Sequence, residues 1–376
     1  MARTGHFREE LQGEVKYKTF IPNILPFKVN YDSELQTLQS KADLALGRLD
    51  MVADVLPNVD FFIFMYVRKE ATLSSQIEGT QATFIDVLKA EARIEDSEIH
   101  KDVDEVINYI SAMNYGLERS KTLPLSVRLL KEIHAFLLKG VRGGWKTPGE
   151  MRKSQNWIGG SSINTAKFVP PPHEEVIPLM SNLEKNLHDN EKLPVIIKIG
   201  LIHAQFETIH PFLDGNGRIG RLLITFYLCK QDILRKPLLY LSDFFKEYKT
   251  EYYERLNLFR ERDDIEGWLK FFLEGVASTS EKALNTSRKI IKQRDKDIAK
   301  ITKLGKSAEN GMKLLNSLYE SPLVRVKDVE RITGLKNPNA LSLVSRFEKL
   351  GLLKEITGKQ RNRIYSYDDY VQLFTS

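Results

Sequence analysis

Apolar residues recur at three- and four-residue spacing along most of this chain, which is the spacing of amphipathic helices. The pattern begins near residue 32 and continues to about residue 120, as in LQTLQSKADLALGRLDMVADVL at 35–56. Five further stretches predict helices, at residues 126–138, 176–188, 194–209, 220–230 and 249–277. The first thirty residues contain two prolines and little periodicity, so we expect them to wrap over the surface.

One segment departs from the helical pattern. Residues 143–172 contain five glycines, four prolines and the run QNWIGGSSINTAKFV, which together predict a β-hairpin. Further along, residues 288–306 are rich in charge and predict an amphipathic helix or a linker.

The chain beyond residue 306 has a pattern of its own. It predicts a helix at 308–319, a short strand VRV, a helix at 327–332, a turn at 333–334 and a helix at 337–351. The segments LLKEI and RIYSY then flank a basic tip, TGKQRN. Helix, short strand, helix, turn, helix and two-stranded wing is the layout of a winged helix-turn-helix.

The composition is that of a globular protein, with 376 residues, 42% hydrophobic and 28% charged. The longest apolar run, at 61–67, is far shorter than the ~18 residues that span a bilayer. The first residues lack the apolar stretch of an export signal. A single cysteine, Cys229, excludes an internal disulfide and a cysteine-based metal site. We therefore expect a cytoplasmic protein with no membrane partner.

The net charge of +6 is modest for this length, so we expect most basic residues to form an ordinary solvated surface. Two basic clusters stand out, at residues 287–306 and 358–363.

The most informative stretch is HPFLDGNGRIGRLL at residues 210–223, which contains the pattern G-x-G-x-x-G. In a dinucleotide-binding fold, a buried strand runs directly into the first of these glycines. Here the preceding residues have helical spacing, and that helix ends at His210 because Pro211 disfavours the α conformation in the residue before it. Asp243 lies at a suitable distance for a ribose ligand, but strands and helices do not alternate around it. The dinucleotide interpretation is therefore rejected.

The glycines instead predict an anion site at the start of a new helix. Gly215 and Gly217 let backbone N–H groups converge without obstruction, and the helix dipole favours negative charge there. Arg218 and Arg221 are three residues apart, so they share one face of that helix and can reach the same phosphates.

Three neighbouring side chains add chemistry to this phosphate site. Asp214 is a poor neighbour for a phosphate unless a cation lies between them, which points to Mg²⁺. Asn216 offers its amide to a phosphate oxygen. His210 is a candidate general base because the free pKa of histidine is close to cellular pH.

Residues 210–221, HPFLDGNGRIGR, match the signature H-x-F-x-[DE]-G-N-G-R-x-x-R of the Fic family at every position. The chain resembles that family over roughly residues 15–280. NWIGGSSINTAKFV at 156–169 is similar to the β-hairpin flap beside the family's active site. SSQIEG at 74–79 resembles the inhibitory motif [ST]-x-x-x-E-[GN] of one subclass, and the C-terminal tail resembles the winged helix of some bacterial members.

The resemblance implies a mainly α fold, a Fic-type helical bundle with a β-hairpin flap, followed by a C-terminal winged helix-turn-helix. It divides the chain into an N-terminal helical region with the inhibitory helix, a catalytic core with the flap, a helical linker and a winged helix domain. These four regions are residues 1–120, 121–280, 281–306 and 307–376.

The resemblance also implies transfer of AMP from ATP to a hydroxyl of a protein side chain, with pyrophosphate leaving. His210 would take the proton from the attacking Ser, Thr or Tyr, Asp214 would hold Mg²⁺, and Arg221 would reach the γ-phosphate. The nucleotide-binding set that the family implies is Gly215, Asn216, Gly217, Arg218, Ile219, Gly220, Arg221, Tyr252 and Tyr253. The flap residues that would position the target segment as an added strand are Ile158, Gly159 and Gly160.

The inhibitory segment has its own physical argument. Residues 61–78 predict one helix, with Gly79 at the position after the C-terminus that favours glycine. Glu78 would then lie where the helix dipole disfavours a carboxylate by ~0.3–1 kcal/mol. The family supplies Arg221 as its cationic partner, and Ser74 opens the motif. An Arg221 paired with Glu78 cannot hold a γ-phosphate, so the resemblance implies autoinhibition.

Several alternatives remain open. A nucleotide-sensing DNA-binding regulator would use Lys359, Arg361 and Arg363 on the wing, with residues 337–345 in the major groove. A winged helix also serves as a protein-docking module. Within the enzyme class, the same site would remove AMP or transfer another phosphate-linked group. The sequence does not determine the target, the acceptor residue type, or whether the chain forms a homodimer.

Overall fold

The computed structural model of the chain describes residues 2–12, 15–55, 59–93, 100–189 and 193–375. Within these residues the protein is mainly helical, with two small antiparallel sheets. The prediction of a mainly α fold is confirmed. The described ranges contain no parallel sheet of the kind that binds dinucleotides.

The described residues begin with two strands and five α-helices, continue with seven α-helices, and end with four α-helices and three strands. The first are strands β1 (Gly5–Gln12) and β2 (Val15–Pro22) and helices α1 (Ser33–Asp50), α2 (Val52–Val55), α3 (Val59–Ile77), α4 (Phe84–Glu91) and α5 (Val103–Arg119). The next are helices α6 (Val127–Leu137), α7 (His173–His188), α8 (Val195–Ile209), α9 (Asn216–Lys230), α10 (Ser242–Glu247), α11 (Lys249–Glu261) and α12 (Ile265–Thr302). The last are α13 (Ala308–Glu320), β3 (Leu323–Val324), α14 (Val326–Thr333), α15 (Asn337–Lys349), β4 (Lys354–Glu355), β5 (Tyr365–Ser366) and α16 (Asp368–Thr375).

These elements form two compact units, each assembled from separate stretches of chain. The first unit comprises Met1–Asp50, Leu73–Thr80 and Asp104–Glu281. The second comprises Met51–Thr72, Gln81–Val103 and Lys282–Ser376.

Helix α8 is the centre of the first unit. Its residues from Ile196 to Ile209 are all buried, so it has no solvent-facing stripe and is enclosed on every side. Trp268 of α12 donates a hydrogen bond to the carbonyl of Gly200 at 2.8 Å. A Cβ on Gly200 would lie 3.0 Å from the Phe272 ring, so this glycine lets α12 approach α8 closely.

The second unit has its own core, in which α13, α14 and α15 pack beside a three-stranded sheet of order β3-β5-β4. Phe374 of α16 packs its ring 5.4 Å from Tyr66 of α3 and 6.4 Å from Phe84 of α4. The element order of residues 308–366 agrees with the pattern read from the sequence. The identification of this arrangement as a winged helix remains a prediction.

The N-terminus forms two paired strands that the sequence did not predict. Strands β1 and β2 pair in register from Gly5 opposite Pro22 to Gln12 opposite Val15. Only part of this ribbon is buried: Phe20 has no exposed surface, whereas the Phe7 ring opposite it is 46% exposed. The ribbon is held together by the backbone pairing of its two strands.

One predicted helix needs correction, one open alternative is decided, and one helix was missed. The helix predicted at 249–277 is interrupted at residues 262–264, where Asp263 takes φ +56° and Asp264 accepts a hydrogen bond from the Gly267 N–H at 3.0 Å, in the first turn of α12. The charged stretch at 288–306 continues α12 as far as Thr302. Helix α16 was not predicted at all, because its eight residues are too few for a clear period.

No helix in the described part of the chain combines the length and the apolar character needed to cross a membrane.

Candidate active site

The signature stretch forms a tight loop between two buried helices. Helix α8 ends because His210 adopts a left-handed conformation, φ +50°, immediately before Pro211. Helix α9 begins directly after Gly215, which also lies in the left-handed region at φ +76°. The histidine therefore lies at the junction where one helix ends and the N-terminus of the next begins.

Asn216 closes this loop. Its Oδ1 accepts a hydrogen bond from the Phe212 N–H, and its Nδ2 donates to the Phe212 carbonyl, both at 2.8 Å. The amide was expected to bind a phosphate oxygen. The structure instead has both ends of the amide bonded to the loop backbone, because a buried amide must satisfy its donor and acceptor locally.

Two side chains from distant elements support the loop. His134 of α6 accepts a hydrogen bond from the Gly149 N–H at its Nδ1, 2.8 Å, so the proton lies on Nε2, which donates to the Asp214 carbonyl at 3.0 Å. Arg152 donates from Nε to the His210 carbonyl at 3.0 Å. Sequence reasoning missed both residues, because nothing in the local pattern marks a side chain that contacts the motif only in three dimensions.

The imidazole of His210 is electrically neutral at physiological pH. Burial and, next in size, the positive charge of Arg152 lower the pKa of His210 to about 3, against the opposing effect of Glu78. Its buried Nδ1 has no hydrogen-bond partner among the described residues. The expectation that the His210 pKa lies near cellular pH is therefore wrong, because the ring is buried. The buried ring is neutral, and its Nδ1 is free to accept a proton.

The N-terminus of α9 forms an anion cradle that a carboxylate already occupies. A Cβ placed on Gly217 would lie 2.2 Å from Glu78 Oε1, so the absence of a side chain at 217 is what admits the carboxylate. Glu78 Oε1 therefore lies at the N-terminus of α9, where the helix dipole favours negative charge.

Arg221 binds the same carboxylate. Its Nη2 contacts Glu78 Oε1 at 2.7 Å and donates to the Ser74 carbonyl at 2.9 Å, while its Nε donates to Ser74 Oγ at 2.8 Å. Burial alone would raise the pKa of Glu78, but the charges of Arg221 and Arg218 outweigh it and lower that pKa. The pair is therefore ionised, and Arg221 is held by α3. Gly79 follows with φ +99°, a conformation that favours glycine.

Arg218 lies between two carboxylates. Its Nη1 is 3.5 Å from Glu105 Oε2, and its Nη2 is 3.5 Å from Asp214 Oδ1. Its buried Nε has no hydrogen-bond partner in the part of the chain that the structure describes. The guanidinium is thus held loosely and retains an unused donor.

Asp214 is suited to share a metal ion with a phosphate. Its Oδ1 accepts a hydrogen bond from the Gly215 N–H at 2.6 Å, whereas its Oδ2 makes no hydrogen bond within the described ranges. The side chain is 37% exposed. No cluster of three or more His, Cys, Asp or Glu side chains occurs among the described residues, so any metal here would need phosphate or water as its other ligands. That donor set fits Mg²⁺.

The flap is less regular than the predicted hairpin. Its two sides meet in a single antiparallel bridge, Ile158 with Phe168, and a short 3₁₀ turn, Ile163–Thr165, lies between them. Gly159 and Gly160 have φ +69° and +72°, so the backbone turns immediately after Ile158 instead of extending. The Phe20 N–H of β2 donates to the Val169 carbonyl at 3.1 Å, which fixes the far side of the flap to the N-terminal ribbon.

Three members of the implied nucleotide set lie in packed surroundings. Ile219 is fully buried, and a Cβ on Gly220 would lie 2.4 Å from Glu207 Oε1, so neither side of the helix is open at these positions. Tyr252 is 1% exposed and its hydroxyl is 2.9 Å from His203 Nε2. These residues are core residues because α8 and its neighbours enclose them. Tyr253 is 39% exposed and stays available to a ligand.

Comparison with known proteins gives a consistent result. Residues 36–118 match the family model described as Fic/DOC family N-terminal, and residues 124–228 match the model described as Fic/DOC family. A probable protein adenylyltransferase of Aquifex aeolicus is 32% identical over 180 residues, 45% of this chain and 50% of that protein. Protein adenylyltransferase Fic of Drosophila melanogaster is 26% identical over 309 residues, 76% of this chain and 58% of that protein. The chain spans about half the length of the curated relatives it matches.

Solved structures share the fold. A Fic family protein from Desulfovibrio desulfuricans G20 superposes with a TM-score of 0.57 at 18% identity, covering 90% of this chain and 97% of that one. Fic-1 from C. elegans superposes with a TM-score of 0.51 at 19% identity, covering 69% and 74% of the two chains.

Proposed function

Because the chain belongs to the Fic/DOC family, we propose that it is a protein adenylyltransferase, which transfers AMP from ATP to a Ser, Thr or Tyr hydroxyl of a protein. The observation that carries the proposal is the anion cradle at the start of α9. Glu78 Oε1 lies within 2.2 Å of the Cβ position of Gly217 and 2.7 Å from Arg221, beside the neutral His210. A triphosphate fits the same donors.

In the proposed reaction, His210 is the catalytic base. Its ring nitrogen takes the proton of the target hydroxyl, whose oxygen attacks the α-phosphorus of ATP. The bond from that phosphorus to the bridging oxygen breaks, and pyrophosphate leaves with the electron pair. The backbone donors at Gly215 and Gly217, with Arg218, stabilise the charge that develops on the phosphates. Asp214 would hold Mg²⁺, which when bound neutralises phosphate charge.

Inhibition by Glu78 follows from the same contacts. Arg221 directs two of its nitrogens to Ser74 and Glu78, so it is not free to hold a γ-phosphate. The Glu78 carboxylate also fills the cradle at Gly217 and repels a phosphate by its charge. We propose that ATP binds productively only after Glu78 has left.

The test is AMP transfer from α-labelled ATP in the presence of Mg²⁺. We expect Glu78→Gly to transfer label to itself or to a target at least on the order of tenfold faster than the native chain, because it frees a charge-assisted hydrogen bond at Arg221. His210→Ala in the same background should transfer none. Glu118→Gly, which removes an exposed carboxylate of α5, is the matched control and should leave the rate unchanged.

Equal labelling by Glu78→Gly, His210→Ala and the native chain would contradict the proposal. Mass spectrometry of the labelled protein identifies the acceptor residue. It also distinguishes AMP transfer from AMP removal or from transfer of another phosphate-linked group, since each leaves a different mass.

A second candidate function, binding of duplex DNA, is favoured by the charge of one cavity in the second unit. The cavity has a volume of about 970 Å³ and lies between the tip at 357–363 and the first turns of α14 and α15. Its cationic lining, which we term the basic cleft, is Arg93, Arg325, Lys327, Lys359, Arg361 and Arg363. Asp328 also lines the cavity, and it is already paired with Arg325 and Arg331. A polyanion suits such a surface.

DNA binding is tested by retention of the full chain on immobilised duplex DNA at increasing salt. We expect binding that weakens steeply with salt. If the chain does not bind even at low salt, the basic cleft is better explained as a protein-docking surface.

A further inference from the structure

Glu105 of α5 is a buried carboxylate that contacts three other elements of the site. Its side chain is 4% exposed. Oε2 accepts a hydrogen bond from Thr80 Oγ1 at 3.0 Å and lies 3.5 Å from Arg218 Nη1, while Oε1 lies 3.2 Å from Arg142 Nε. No sequence motif marks this residue, and the proposed mechanism does not use it.

Thr80 belongs to the turn that carries Glu78. It lies two residues further on, is 2% exposed, and its N–H donates to the Ser75 carbonyl at 3.2 Å. The turn is therefore held to the site at two points: through Glu78 to Arg221, and through Thr80 to Glu105.

The second attachment point and Arg218 share one carboxylate oxygen. Glu105 Oε2 serves both Thr80 and Arg218, and the contact to Arg218 is 3.5 Å long. On the other side of the guanidinium, the distance from Arg218 Nη2 to Asp214 Oδ1 is also 3.5 Å. The buried Nε of Arg218 has no hydrogen-bond partner among the described residues. An arginine placed to grip a phosphate would be held more tightly than this.

We infer that Glu105 is a positioning residue for Arg218. While the turn that carries Glu78 is bound at the site, the Thr80 hydroxyl holds Glu105 Oε2 away from the Arg218 guanidinium. When the turn leaves, Oε2 is free to close on Arg218 and fix its guanidinium beside the phosphates. The inference rests on the proposed function. It adds a second restraint to the one that Glu78 supplies, acting on a different arginine.

The first experiment removes the Thr80 hydroxyl. Thr80→Val should raise the basal rate of AMP transfer about fivefold, the effect of losing one buried hydrogen bond that holds the turn. In the Glu78→Gly background it should raise the rate again by a similar factor, because the Thr80 contact is a separate attachment point and acts on Arg218 instead of Arg221. The matched control is Thr225→Val, which also loses one buried hydrogen bond, to the Leu239 carbonyl at 3.1 Å, and should leave both rates unchanged.

The second experiment removes the charge of Glu105 in the Glu78→Gly background. Glu105→Gln should lower kcat about tenfold, since Arg218 loses its charged partner, while KM for ATP does not rise, because no positive charge is lost. A merely structural role would instead reduce the folded fraction and lower kcat in proportion to it, and circular dichroism measures that fraction.

The inference is overturned if Thr80→Val and Thr225→Val affect the basal rate equally, or if Glu105→Gln changes neither kcat nor KM. Failure of the proposed function is distinct, because Glu78→Gly itself would then transfer no AMP. If no variant transfers AMP, the restraint is tested by the affinity of each variant for a fluorescent ATP analogue. Tighter binding by Thr80→Val than by Thr225→Val supports the restraint, and equal affinities of the two variants reject it.

Discussion

Burial sets the protonation state of three histidines in the first unit. It lowers the pKa of His134 to about 4 and the pKa of His203 and His210 to about 3, and in each case a nearby arginine charge acts in the same direction. All three rings are therefore neutral at physiological pH. For His210 this means that the proposed base is unprotonated before any substrate arrives.

The lowered pKa values predict loss of stability in acid. Between the free value near 6.5 and the folded values of about 3 to 4, the unfolded chain binds protons that the folded chain does not, so stability falls as pH falls. Each such histidine contributes about 1.4 kcal/mol per pH unit in that window. Burial raises the pKa of Glu207 to about 7. Between its free value of 4.5 and 7, the folded chain therefore binds one proton that the unfolded chain does not, and this contribution makes stability rise as pH falls.

The measurement is the free energy of unfolding in urea between pH 4 and pH 6, below the free histidine pKa of 6.5. His203→Gln should make the slope of unfolding free energy against pH shallower by about 1.4 kcal/mol per pH unit. His6→Gln, at an exposed position, is the control and should leave the slope unchanged. A slope that His203→Gln does not alter would mean that this ring is charged in the folded chain.

Sequence reasoning found the residues of the site that are close together in the chain. His210, Asp214, Arg218 and Arg221 lie within twelve positions, and their types and spacing suffice to predict a phosphate site. It did not find His134, Arg152 or Glu105, whose contacts to the motif cross 80, 58 and 113 positions. Periodicity carries no information about pairs that distant.

At the scale of elements, the start of α9 determines what the site can bind. A helix N-terminus attracts anions only where the backbone is accessible, and Gly217 keeps it so. Under the proposed function, the same position admits either the Glu78 carboxylate or a phosphate. Competition between the two therefore needs no movement of α9.

A methyl group at this position should block both anions. In the Glu78→Gly background, Gly217→Ala should lower AMP transfer at least tenfold, because its Cβ would lie 2.9 Å from Arg221 Nη1 and fill the phosphate position. The matched control is Gly47→Ala in α1, where a Cβ meets nothing within 4 Å, and it should leave activity unchanged. The readout is label transfer from α-labelled ATP, and full activity of Gly217→Ala would remove the cradle from the mechanism.

Elements with a strong helical period were predicted well, as for α6, α8 and α13. The N-terminal ribbon and the flap were not, because backbone hydrogen bonds and glycine turns form them. Nor does a hydrophobic pattern reveal that Asp263 interrupts a helix, since a single left-handed residue leaves the apolar spacing on either side intact.

At the scale of the whole molecule, the net charge of +6 is unevenly distributed, and six cations meet at the basic cleft. If the cleft binds duplex DNA, changing Lys359, Arg361 and Arg363 to Ala should reduce the slope of log affinity against log salt by about 0.9 for each phosphate that the variant no longer neutralises. Lys41→Ala with Arg48→Ala removes exposed charge from α1 and should not alter the slope. An unchanged slope in the triple variant would remove the cleft from the interface.

The second unit also illustrates what adjacency in sequence cannot reveal. Segments 51–72 and 81–103 pack with 282–376, although the sequence places them beside the elements of the first unit. The contact of Tyr66 with Phe374 joins residues more than three hundred positions apart. The apolar residues involved look like any other core residues until the chain has folded.

The cytoplasmic location remains a prediction from composition.

The sequence by itself determined the helical class, and it predicted the anion site at the start of α9 together with its histidine and arginines. Each of these is encoded in local spacing, and local spacing acts through short-range backbone geometry. Only the tertiary structure decided that Glu78 lies beside Gly217 and Arg221, that Thr80 and Arg218 share one oxygen of Glu105, and that Tyr252 belongs to the core. Those outcomes depend on which distant surfaces are buried together, and burial is a property of the folded chain as a whole.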